Sequence, residues 1–265
     1  MAAGALRQAP AAPGKILPLS FFIPDNPFLN HLPFWAIIKN HFRFLGGPNL
    51  SEMIVRPFQE KDRDRVRQIA GDTANRGRPV ETFFRGRSVM EDLLTDYYIQ
   101  DEPQSLLVAE CDGLVVGYLT GCFDQANFQK RMAWRVVPET FWRALWQGVF
   151  LRRETWRMLY NGYRTLLSGG FDKRIPIKEY PVHLHINVDS RYRHQQAGRH
   201  LMEKFFTMVR RRNLPGIHAV VRADNAAGRQ FFEKMGFVQL SRHPLIWPEG
   251  EKDRQRYTLV YGKRL

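Results

Sequence analysis

Between residues 182 and 189 apolar and polar positions alternate strictly, with Val182, Leu184, Ile186 and Val188 set against His183, His185, Asn187 and Asp189. A period of two sends successive side chains to opposite sides of an extended chain, so this segment is expected to be a strand with one face in the core. The period then changes. Over 197–212, Leu201, Phe205, Met208 and Val209 fall three or four apart, which predicts a helix ended by Asn213-Leu214-Pro215-Gly216. A strand over 217–222, a helix over 225–235 and strands at 237–240 and 256–261 follow. Upstream, the pattern predicts a strand at 53–57, a helix over 61–74 with Val66, Ile69 and Ala70 on one face, and a helix over 90–98. Strands at 105–110 and 114–121 flank Asp112-Gly113, a dipeptide that favours a two-residue hairpin turn.

Two segments break this alternation of strands and helices. Residues 1–52 carry seven prolines, a density that discourages long elements, and are read as an extension with one amphipathic helix at 34–45. Residues 124–178 interleave Trp134, Trp142, Trp146 and Trp156 with many arginines; Phe141, Trp142, Leu145, Trp146 and Val149 share one helical face. This stretch is read as a helical insertion packed on the domain with its basic face solvated. A lid over a substrate pocket and a basic aromatic patch at a membrane surface are the functional alternatives. The chain is therefore expected to be α/β, with an α+β mixed sheet, forming one domain over 53–265 behind the extension.

Composition narrows the function classes. Forty Lys and Arg against 26 Asp and Glu give a net charge of +14, which attracts polyanions without choosing among them. Nucleic acid is not expected, because no recognition motif or stacking platform accompanies Arg210-Arg211-Arg212. Cys111 and Cys122 are too far apart, with no Cys/His cluster beside them, to suggest a metal site or disulfide framework. No run approaches the ~20 apolar residues of a membrane span. No signal peptide is recognised either, so a cytoplasmic protein with at most a peripheral membrane contact is expected.

The segment Val188-Asp-Ser-Arg-Tyr-Arg193-His-Gln-Gln196-Ala-Gly198-Arg199, followed by Asn225-Ala-Ala-Gly228-Arg-Gln-Phe231-Phe232-Glu233-Lys234-Met-Gly236-Phe237, resembles the GNAT acyltransferase superfamily. Arg193 and Gly198 match that family's Arg/Gln-x-x-Gly-x-Gly/Ala signature, with Gln196 where Gly is usual. The second piece matches its Asn-x-x-Ala-x-x-Phe-Tyr-Glu-Lys-x-Gly-Phe pattern, with Gly228 for Ala and Phe232 for Tyr. The resemblance implies a GNAT-like fold with splayed central strands and acetyl-CoA as co-substrate, its pantetheine arm in the gap. Ile186, Asn187 and Val188 would line that arm, and Asn225 and Phe232 would meet it from the next helix. The diphosphate would lie on the turn formed by Arg193, His194, Gln195, Gln196, Ala197, Gly198 and Arg199. Elementary physics agrees, since a helix start offers unpaired N–H groups and a positive dipole end to an anion. Gln196 is compatible with that seat if its φ stays negative.

The implied reaction moves an acetyl group from a thioester to a primary amine, which requires a neutral amine and a polarised carbonyl. His183, His185 and Glu110 are candidates for taking the amine proton, with His185 preferred by strand position and Glu110 second. The alternative is that both histidines merely sit on the less buried face of a strand, the commoner fate of a lone histidine. Phe232 has no proton for the leaving thiolate, and so a binding module without turnover is the alternative. The acceptor and the oligomeric state are not readable.

Overall fold

The computed structural model of this protein describes residues 53–171, 175–193, 195–249 and 252–265. The expected extension over 1–52, with its helix at 34–45, lies outside them, as does His194. Among the described residues seven strands form one mixed sheet: β1 (Met53–Pro57), β2 (Leu107–Cys111), β3 (Leu114–Cys122), β4 (Val182–Val188), β5 (Gly216–Arg222), β6 (Val238–Glu249) and β7 (Lys252–Arg264). Their spatial order is β1-β2-β3-β4-β5-β7-β6, and every neighbouring pair is antiparallel except β4 and β5. This is the α/β mixed-sheet architecture expected from the sequence. The β2–β3 hairpin turns on Asp112 (φ 50°) and Gly113 (φ 81°), the paired positive φ values of a type I′ turn.

Helices cover both sides of the sheet. On one, α1 (Arg63–Thr73) buries Val66, Ile69 and Ala70 beside Ile99 of α2 (Arg87–Gln100) and Tyr118 of β3. On the other, α6 (Ala197–Arg211) buries Leu201, Met202, Phe205 and Val209 against β2, β3 and β4. Each such side chain contributes about 2 kcal/mol by leaving water. The last helix, α7 (Ala226–Lys234), starts at Asn225, whose side-chain oxygen accepts the Gly228 N–H at 3.1 Å.

The two C-terminal strands are far longer than their apolar pattern suggested. β6 runs through Pro244 and Pro248, residues that argue against a strand in the middle of a sheet but are tolerated at its edge, where β6 lies. The insertion is helical as expected: α3 (Gln125–Arg131), a single π turn (Met132–Val136), α4 (Val137–Trp146) and α5 (Arg153–Leu167). A small apolar seam joins its Ala144 and Val149 to Phe83, Phe84 and Val89. Its orientation departs from ordinary packing, because α5 buries Thr155, Asn161 and Thr165 and exposes its apolar side. Cys111 and Cys122 are free and buried, and burial pushes the Cys122 thiol up to about 12, which makes it unreactive.

Candidate functional site

The parallel pair in the sheet is short. β4 and β5 are joined only at Val182↔Ile217, His183↔His218 and Leu184↔Ala219, although β4 continues to Val188 and β5 to Arg222. Past Leu184, β4 stays zipped to β3 up to Val188↔Gly117. The Asp189 N–H donates to the Val116 carbonyl at 2.9 Å. Because main-chain groups alternate between the two edges of a strand, His183, His185 and Asn187 turn theirs to β3, and Ile186 and Val188 turn theirs toward β5. No ladder pair with β5 meets them there. The two strands thus part into a V whose β4 lip carries the main-chain donors and acceptors of Ile186 and Val188.

The helix start beside this opening differs from the expectation in one respect. Gln196, at the N-cap of α6, has φ 61° and ψ 8°, the left-handed conformation, so the condition of a negative φ is not met. A non-glycine residue held there costs roughly 1–2 kcal/mol. Gly198 follows with Phe231 of α7 and Ile186 of β4 against it, so that a Cβ would lie 3.2 Å from the Phe231 ring. The arginines are occupied. Arg193 donates to the Val188 carbonyl at 3.4 Å and the Gly77 carbonyl at 3.2 Å, and Arg199 is paired with Glu203 along α6.

A tight turn between α1 and α2 is bonded to both lips of the V. Asn75 and Arg78 pair across Arg76 (φ 57°) and Gly77 (φ 79°). On the β4 side the turn receives Arg193; on the β5 side Arg222 donates to the Asn75 side chain at 3.1 Å, and Arg76 meets Asp224 at 3.0 Å. Arg222 also lies over the Trp247 ring at 4.4 Å. Burial raises the Asp224 carboxyl, but Arg222, Arg76 and Arg256 more than offset this and hold it below its usual value. A cavity of about 260 Å³ opens next to the turn, lined by Ile69, Thr73, Gly77, Pro79, Asp189 and Arg191 among others. The sequence pattern did not single out Arg76, Arg222 or Asp224. The Arg-x-Asp just before the capping Asn225 was the local signal available.

Residues 168–237 match the family model described as Acetyltransferase (GNAT) family. The crystal structure of SsHAT is 23% identical, with a TM-score of 0.60 over 80% of this chain and 98% of that one. The chain has a GNAT acetyltransferase fold. A ribosomal-protein-alanine N-acetyltransferase from Brucella melitensis is 17% identical (TM-score 0.50, 80% and 99% covered). The structure of yncA from Salmonella typhimurium, with its cofactor acetyl-CoA, is 15% identical (0.50, 80% and 94%). No curated protein matches the sequence.

Against the GNAT pattern, the sequence-derived residues divide into two groups. Ile186 and Val188 edge the V, Gln195, Ala197 and Gly198 stand at the start of α6, and Asn225 caps the helix after β5. His185 is the first β4 residue beyond the last rung with β5, exposed, on the side of the sheet covered by α1 and α2. Its Nε2 lies 2.9 Å from Nε2 of His183, whose ring stacks on His218 at 5.6 Å. The other group is elsewhere. Glu110 is on β2, two strands from β4, and is bonded to Arg56 at 2.7 Å. Asn187 turns its main chain to β3 and donates its side-chain amide to the Tyr118 hydroxyl at 2.8 Å. Phe232 is buried against Phe237 and Tyr261, so it is Phe231 that stands beside Gly198.

Proposed function

We propose that the protein is an acetyl-CoA-dependent N-acetyltransferase that moves an acetyl group to a primary amine by direct attack in a ternary complex. The observation that carries this reading is the parting of β4 and β5 past Leu184, with Ile186 and Val188 turned into the gap. A pantetheine arm is an amide chain, and main-chain groups along one strand are what it can bond to. The start of α6 offers N–H groups to the diphosphate at the same end of β4. An N–H of the β4 lip would polarise the thioester carbonyl. His185, at the apex of the V on the α1 and α2 side, takes the amine proton. That proton leaves as the neutral nitrogen attacks the carbonyl carbon and the C–N bond forms; the C–S bond breaks, and coenzyme A leaves as thiolate. No tyrosine stands at the Phe232 position, so the thiolate takes its proton from water.

Two measurements test this. Acetyl-CoA at 100 times its dissociation constant stabilises the folded chain by about 2.7 kcal/mol, a readily measured rise in melting temperature. No shift at millimolar ligand removes the reading. In an amine-panel assay with thiol detection, His185→Gln lowers kcat by roughly 10²-fold or more while keeping the thermal shift; full activity removes His185 from the mechanism. A second reading, a GNAT-like module that binds an acyl-CoA without turnover, is favoured by the left-handed Gln196 and the buried Phe232. A thermal shift with no product across the panel selects it.

A further inference from the structure

Fourteen of the eighteen exposed large hydrophobic residues among those described lie between Trp134 and Phe171, in less than a fifth of the described chain. They are not scattered. On α5, Trp156, Leu159, Tyr160, Tyr163, Leu166 and Leu167 form one stripe at helical spacing, and all six are exposed. On α4, Phe141, Trp142, Leu145 and Trp146 form a second, with Trp146 88% exposed. A row of ring contacts joins the two: Trp142 to Phe141 at 5.8 Å, Phe141 to Phe150 at 5.3 Å, and Phe150 to Trp156 at 6.3 Å. The outward turn of α5 is fixed by the protein itself, because the Thr165 hydroxyl accepts the Ile246 N–H of β6 at 3.0 Å and Asn161 is buried beneath. A helix on a water-facing surface keeps its apolar stripe inward; this one is held the other way round.

The chemistry around the stripes identifies what they meet. Residues 124–171 hold eight basic and three acidic side chains, a surplus of five positive charges. Arg131, Arg135 and Arg143 are used in ion pairs with Asp101 and Asp92, but Arg152, Arg153 and Arg164 stand exposed beside the apolar row. Exposed Trp and Tyr with Leu between them, rimmed by arginine, is the composition of a surface seated at the boundary of headgroups and acyl chains. A second copy of the chain would bring the same arginines face to face. We propose that the outward face of α4 and α5 is a docking surface for an anionic lipid bilayer, lying in its interface without crossing it. No helix among the described residues is long and apolar enough to span a membrane.

The test is sedimentation of the full chain with vesicles of phosphatidylcholine alone or with about one-third phosphatidylglycerol. The chain binds the anionic vesicles at least tenfold more tightly, its tryptophan emission moves to the blue, and binding weakens as salt rises. Trp146→Glu with Leu167→Glu lowers vesicle affinity about a hundredfold and leaves the melting temperature unchanged, since both side chains are exposed. Arg153→Gln and Arg164→Gln cost about fivefold each. Three results overturn the proposal. The unaltered chain fails to bind anionic vesicles; the double-Glu variant binds as well as the parent, which moves the contact to another part of the chain; or sedimentation equilibrium shows a dimer that the double-Glu variant dissociates, which makes the face a contact between copies.

Discussion

Helices α5 and α6 have equal lengths, fifteen residues each, and both sequences are strongly one-sided, yet they turn their apolar sides in opposite directions. α6 presses Leu201, Met202, Phe205 and Val209 onto the sheet; α5 holds Thr165 and Asn161 inward and Tyr163 and Leu167 out. The neighbours decide the difference. β2, β3 and β4 offer α6 a side lined by Leu107, Leu119 and Leu184. β6 offers α5 an N–H that needs an acceptor, and Thr165 supplies it. The insertion is further held by charge, with Arg143 of α4 on the buried Asp92 of α2 and Arg135 on Asp101. Periodicity in a sequence therefore reports which residues share a face, and what that face meets is a property of the partner.

The largest effects fall on this contrast. Leu201→Ala or Phe205→Ala empties space in a fully buried cluster and is expected to cost about 3–5 kcal/mol in urea unfolding. Leu167→Ala, the matching cut on α5 at a side chain 68% exposed, is expected to change stability by less than about 0.5 kcal/mol. Equal losses would mean that the α5 stripe is covered in the folded chain. An intermediate effect tests the other means of attachment. Asp92→Ala leaves Arg67 and Arg143 without their shared carboxylate and is expected to cost about 2–3 kcal/mol. Faster amide exchange in α4 than in α6 would show that the insertion loosens first; uniform acceleration would show a single cooperative unit.

The same contrast explains what could be read in advance. β4, α6, β5 and α7 were legible because each meets the sheet with its own apolar period, and the Asp-Gly hairpin because the dipeptide dictates its turn. The long β6 was hidden by Pro244 and Pro248, whose meaning depends on β6 being an edge. The opening of the V was legible only through resemblance, since nothing in the sequence of 185–188 announces that β5 turns away. The turn at Arg76-Gly77 was not legible as part of the site, because its partners Arg222 and Asp224 lie about 150 positions on and are joined to it only by folding. Glu110 illustrates the converse: a carboxylate on a strand reads as a candidate base until the strand order puts Arg56 beside it.

A smaller effect is expected at the start of α6. Gln196→Gly removes the left-handed penalty at φ 61° and should raise stability by about 1 kcal/mol, seen as a higher melting temperature. Closer approach of a diphosphate to the backbone should accompany it, so the thermal shift given by acetyl-CoA should grow or hold. A loss of that shift would show that the Gln196 side chain itself contacts the ligand.

The smallest expected effects separate the two regions by the sign of their response to acid. At the V, hydrogen bonds from Arg191 overcome the opposing effect of burial and, with Arg65, hold the Asp189 carboxyl far below its usual range. A depressed carboxyl stabilises the fold above the unfolded value near pH 4, and that contribution is lost as pH falls further. On α2, which carries the insertion, burial first and the neighbouring Asp92 second raise the Asp96 carboxyl, and burial likewise raises Glu91. Raised carboxyls contribute in the protonated form, so their contribution grows as pH falls through the folded value and is lost as pH rises. Asp189→Asn is therefore expected to flatten the fall in urea midpoint below about pH 4, and Asp96→Asn to flatten the rise in midpoint that the raised carboxyl gives as pH falls toward that value from above. Parallel shifts in the two variants would mean that the mouth and the insertion's anchoring helix respond to acid as one body.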